Sequence, residues 1–154
     1  MESNKYSVCV LFRVHNSFFL ISDQNVSDIV PLPEMKRCIP NSPDYIAGVC
    51  NSYNRNITMI DLKILLSLTN IKTENSCPYI VVISDKSRKI GLLADDVMSV
   101  EPSAGLLLTD KNPFVSHFIS NIYILKRTNE FAMELNIPKI LSLPACFTEY
   151  DDYM

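Results

Sequence analysis

The chain has 154 residues, 47% of them hydrophobic and 20% charged, with a net charge of −3. This describes one ordinary globular domain, or two small lobes sharing a core. It argues against nucleic acid as the partner, because phosphate binding needs clustered cations and no Lys/Arg run is present.

Tyr6-Ser7-Val8-Cys9-Val10-Leu11-Phe12-Arg13-Val14 is rich in β-branched and aromatic residues and reads as a strand, with Tyr6, Val8, Val10, Phe12 and Val14 on one face. His15-Asn16-Ser17 is a turn, and Phe18-Phe19-Leu20-Ile21 returns as the hairpin partner. Residues 23–30 hold one helical turn and then a short strand. Pro31, Pro33, Pro40 and Pro43 punctuate an extended loop. Tyr45 to Leu66 is the organising stretch. Two β-type runs flank the polar pentad Ser52-Tyr53-Asn54-Arg55-Asn56, and the second run enters a short helix for which Asp61 is the natural N-cap.

Thr69 to Ser76 reads as a surface connection. Tyr79-Ile80-Val81-Val82-Ile83 is a near-continuous apolar run, expected of a strand buried on both faces. Asp85 to Arg88 makes a turn, Lys89 to Ala94 comes back, and Val97 to Val100 extends or resumes that strand beyond Asp95-Asp96. The segment from Pro102 to Pro113 reads as loop, with Leu106-Leu107-Leu108 tucked against the body. Residues 118–125 and 130–135 form a last hairpin, after which Asn136 caps a helix with Pro138 in its first turn. The acidic tail, residues 144–154, is expected to stand apart from the core, residues 7–143.

A weak internal repeat runs through this order. Hairpin, Asp61 cap and apolar helix resemble hairpin, Asn136 cap and apolar helix. A mainly β fold of two similar lobes, each closed by a helix, uses this most simply. Short strands with turn signals about every 8–12 residues favour barrels or a sandwich.

No constellation for chemistry emerges. Gly48, Gly91 and Gly105 are the 3 glycines and form no GxGxxG or P-loop. The 5 cysteines include no CxxC pair, which points to a reducing cytoplasm rather than a disulfide framework or zinc knuckle. His15 and His117 have no Cys or carboxylate at ligand spacing. Asp95 and Asp96, as adjacent strand residues, are expected to face opposite ways. The N-terminus lacks an apolar signal core, and no run is long enough to span a bilayer. The chain is expected to be a non-enzyme that works without catalytic residue, metal or cofactor.

From about Ser7 to Leu143 the order of elements resembles the CheW-like chemotaxis coupling domain. The family's Pro-x-Tyr/Phe-Ile-x-Gly-Val-x-Asn-Leu-Arg-Gly, then an apolar strand ending in Asp-Leu, is matched by Pro43-Asp44-Tyr45-Ile46-Ala47-Gly48-Val49-Cys50-Asn51-Ser52-Tyr53-Asn54 and Ile60-Asp61-Leu62. Gly91-Leu92-Leu93-Ala94-Asp95-Asp96-Val97 resembles the second signature. The resemblance implies a single domain of two small five-stranded SH3-like barrels packed together. It implies a cytoplasmic adaptor that joins the chemoreceptor signalling helix tip to the regulatory domain of the histidine kinase CheA, using strand edges and an apolar groove between lobes. Val26, Asp28, Gly48 and Tyr53 are the implied protein-binding set. Tyr53-Asn54 stands where the family carries Arg-Gly, so the guanidinium fork is lost there, with Arg55 two positions along. The alternatives are an adaptor of the same fold with another signalling partner, or a small β-barrel ligand-binding domain or enzyme with a pocket between its lobes.

Overall fold

The computed structural model describes residues 8–32, 42–52, 55–68, 78–85, 88–109 and 117–143. Strands β1 (Cys9–Val14) and β2 (Ser17–Ser22) form the first hairpin around His15-Asn16, and a 3-10 turn at Asp23–Asn25 leads into β3 (Val26–Pro31). Next come β4 (Ile46–Ser52), β5 (Arg55–Ile60) and α1 (Leu62–Leu65). The second half runs through β6 (Tyr79–Ser84), β7 (Lys89–Ala94), β8 (Asp96–Val100), α2 (Pro102–Gly105) and β9 (Leu106–Leu108), then β10 (Ile119–Leu125), β11 (Phe131–Leu135) and α3 (Ile137–Leu141). The expected tail and most of the proline-rich loop lie outside the described residues.

The strands form two sheets. One is five-stranded in the order β3-β6-β7-β5-β4, and the other is six-stranded in the order β8-β1-β2-β11-β10-β9. Each curls around its own apolar interior. Val30, Cys50, Ile57, Met59, Ile80, Val82 and Leu93 fill the five-stranded barrel. Leu11, Leu20, Leu106, Leu125 and Ala132 fill the six-stranded one. A third core lies between the sheets and draws on both, with Phe12, Val14, Phe19 and Ile122 from one and Ile46, Ile60, Val81, Ile83 and Leu92 from the other. Leu62 of α1 and Ile137 and Ile140 of α3 join it. The central strands are thus buried on both faces, which is why residues 80–83 and 90–93 read as continuous apolar runs.

Both helix caps form as expected. The Asp61 side chain accepts from the Lys63 N–H at 3.1 Å, and the Asn136 side chain accepts from the Lys139 N–H at 3.2 Å. At the end of α3, Arg88 in the β6–β7 connection donates from Nη1 to the Leu141 carbonyl at 2.7 Å and to the Leu143 carbonyl. Its charge sits at the negative end of the helix and ties the five-stranded barrel to α3.

Two local expectations change. β8 does not prolong β7 within one sheet: a single residue, Asp95, separates them, and β8 pairs with β1 of the other sheet. Leu106 to Leu108 are not tucked away together. They form the edge strand β9 on β10, so Leu106 is buried while Leu107 and Leu108 are each 55% exposed. β9 also makes this sheet one strand wider than its partner.

Candidate protein-interaction face

Val26 opens β3 opposite Ile83 and packs, half-buried, against the core between the sheets. The register then slips, so that Ser27 is left over as a bulge and its hydroxyl donates to the Val82 carbonyl at 3.1 Å. Asp28 follows, opposite Val82, exposed, with Oδ1 accepting from the Ile29 N–H at 2.8 Å. The bulge twists an edge strand and turns the Asp28 carboxylate outward, an arrangement that discourages open-ended strand pairing.

Gly48 lies on the opposite edge of the same sheet. β4 slips between Ile46 and Gly48, and Gly48 has φ 151°. An L side chain rarely adopts that backbone, so glycine is required for the bulge itself. Asp28, Val82, Gly91, Met59 and Gly48 form one row in register across all five strands. The structure therefore places Val26 and Asp28 together on one edge and Gly48 at the far end of the Asp28 row. Tyr53 lies outside the described residues.

The six-stranded barrel repeats this geometry. Its matching row is Met98, Leu11, Leu20, Glu134 and Asn121, with the β10 bulge falling between Ile119 and Asn121 as the β4 bulge falls between Ile46 and Gly48. Asn121 thus stands where the other barrel has Gly48, and its Nδ2 donates to Glu134 Oε1 at 2.7 Å. Val97 stands where the other has Val26, and both pack against the shared core from an outer strand. The internal repeat in the sequence already sets Asn121 against Gly48; Val97, and Ile29 at 40% exposure beside Asp28, were missed. The same repeat, carried to the outer strands, was the signal for Val97.

The interior of the five-stranded barrel contains Cys50, whose thiol is pushed above its ordinary value of 9.0 by burial. Cys9, on the other barrel, is raised by burial first and then by the negative charges of Glu134 and Asp23. Both thiols are thereby kept protonated and poorly nucleophilic. Among the described residues no group of three His, Cys, Asp or Glu side chains is placed to hold a metal. No helix there is long and apolar enough to cross a membrane.

A sequence model of the CheW-like domain matches residues 8–145, nearly the whole chain. The chain belongs to the CheW-like family. CheW-like domains are non-catalytic adaptors of chemotaxis signalling, built of two SH3-like barrel lobes as seen here. A similar solved structure is the scaffolding protein TtCheW from Thermoanaerobacter tengcongensis, with TM-score 0.69 and 17% identity, covering 94% of this chain and 92% of that one. At that identity the likeness concerns the fold. No curated protein matches the sequence. The row from Asp28 to Gly48 carries two of the four expected contact residues, with Val26 across the bulge from Asp28 on the same strand.

Proposed function

We propose that this CheW-like chain couples chemoreceptor signalling helices to the regulatory domain of the histidine kinase CheA in the cytoplasm. The observation that carries the reading is the bulged β3 edge. It presents the exposed Asp28 carboxylate between Val26, half-buried against the core between the sheets, and Ile29, 40% exposed. An apolar margin with one fixed charge suits a specific protein contact, the charge setting register and the apolar groups supplying affinity. A CheA regulatory domain would dock on Val26, Asp28 and Gly48, with Tyr53 in place of the family's Arg, while the apolar seam between the barrels takes the receptor helix.

The test is an amide titration of the labelled protein with a CheA regulatory domain from the same cell. Shifts are expected at residues 26–29 and 46–49. Asp28→Lys is expected to weaken binding roughly tenfold, about 1.4 kcal/mol, at unchanged thermal stability. A Tyr53→Arg variant run beside it reports whether the missing guanidinium matters. Wild-type binding shows that it is dispensable, and binding by Tyr53→Arg alone assigns the natural partner elsewhere. An unchanged spectrum at high concentration of both kinase domain and receptor tip overturns the proposal.

A further inference from the structure

The chain leaves the five-stranded sheet and joins the six-stranded one across Asp95 alone, between Ala94 of β7 and Asp96 of β8. At this corner the Asp95 N–H donates to the Arg13 carbonyl at 2.7 Å. Its Oδ2 accepts from the His15 N–H at 2.6 Å, and Arg13 Nη1 lies 3.8 Å from the same oxygen. Arg13 Nη2 donates to Asp96 Oδ2 at 2.9 Å, and Nη1 donates to the His15 carbonyl at 2.8 Å. The two carboxylates therefore converge on one guanidinium instead of facing apart, because Asp95 is the corner and lies outside the strand alternation. The Asp95 side chain is only 16% exposed, against 57% for Asp96. His15 is held at φ 56°, a left-handed backbone that costs a non-glycine residue energy.

The strand that starts here lies at the rim of its sheet and is held on one side only, by its ladder to β1. β8 is an edge strand paired with β1, and Asp96, Met98 and Ser99 are exposed, leaving Val97 and Val100 half-buried. The other crossover, from β2 to β3, has a backbone bond from the Asp23 N–H to the Val8 carbonyl and no side-chain cap from Ser22. Among the described residues, a carboxylate clamp is thus seen at the Asp95 corner and not at the one that matches it.

We propose that Asp95 is a latch on edge strand β8. Its carboxylate fastens the β1–β2 turn to the corner, and so positions Val97 against the core between the barrels. Opening the latch peels β8 from β1 and leaves the five-stranded barrel intact. This goes beyond the adaptor reading and needs no partner.

The test is amide hydrogen exchange on the full-length chain, wild type beside Asp95→Ala, Asp95→Asn and Asp96→Ala. In the wild type the His15 amide is expected to be protected although it lies in an exposed turn. Asp95→Ala is expected to speed exchange at His15 and at the β8 amides roughly ten- to a hundredfold, the factor that loss of a charge-assisted hydrogen bond carries. Amides of β6 and β7 are expected to keep their wild-type rates. Asp95→Asn keeps an acceptor oxygen and retains most of the protection, and Asp96→Ala, which removes a screened surface pair, changes little. A wild-type His15 amide exchanging at the free rate of a turn residue overturns the latch, even if Asp95→Ala does not fold. So does an Asp95→Ala variant that accelerates both barrels equally, because that is general destabilisation.

Discussion

Single residues carry much of what is unusual in this fold. Gly48 sits at φ 151° in the β4 bulge, so Gly48→Ala is expected to cost about 1–3 kcal/mol of backbone strain, read as a lower urea midpoint at unchanged slope. The two described thiols make a different prediction. Burial raises Cys50, and burial with Glu134 and Asp23 raises Cys9, above the ordinary 9.0. The folded state then favours the protonated thiol more than the unfolded chain does. Its stabilisation is complete below pH 9.0 and is lost as pH climbs through the raised values. Tyr123, raised from 10.0 by burial first and by Glu134 and Cys9 next, extends the loss upward. Urea denaturation above pH 9 is expected to show falling stability, and Cys50→Ala is expected to flatten part of that fall while lowering stability at neutral pH. Sequence alone showed that the cysteines form no CxxC pair. It did not expose the Asp95 and Asp96 pair, because alternation applies within a strand and Asp95 is outside one.

At the scale of elements, local chemistry and pairing part company. The two caps were legible because an acceptor side chain ahead of an apolar run has one obvious use, the free N–H groups of a helix start. Both caps are also tied to the strand ahead of their hairpin: the Asp61 N–H donates to the Tyr45 carbonyl at 2.9 Å, and the Asn136 N–H to the Phe118 carbonyl at 2.8 Å. Asn136→Ala is expected to cost about 1 kcal/mol. Asp61→Ala should cost more, up to about 2 kcal/mol, because Asp61 is 2% exposed and the N–H it caps loses its acceptor away from water. Equal losses in urea titrations would show that burial adds nothing to the cap. By contrast, β9 was unreadable as a strand. Three leucines have no period, and what makes them a strand is the open edge of β10. The sheet change at Asp95 was equally hidden, since one strand-like run serves both sheets and only the partners differ.

The whole molecule is two copies of one unit laid through each other. β1, β2, β4, β5 and α1 correspond to β6, β7, β10, β11 and α3, and β3 corresponds to β8. Among the described residues of the first unit, β1 pairs with β2 and β4 with β5 and no other strands of that unit pair. β1, β2, β3 and β5 take their other partners, β8, β11, β6 and β7, from the second unit. The repeat was legible in the caps and hairpins, but this exchange was not, because nothing in a hairpin's own residues names the strand it will meet. Isolated hairpins are marginal in water, so neither unit has a sheet until the other supplies one. The core between the sheets adds to that dependence, since its buried residues come from both. A chain cut once within residues 69–77, between α1 and β6, should therefore hold together. We expect a protease site inserted after Lys72 to give, on cleavage of the folded protein, two fragments that travel as one particle of unchanged size. They should separate only in denaturant, in a single transition seen alike by circular dichroism and by amide signals of both barrels. Separation in native buffer would mean that the pairings between units contribute less than those within them, and the exchange of strands would then be a feature of topology without a role in stability.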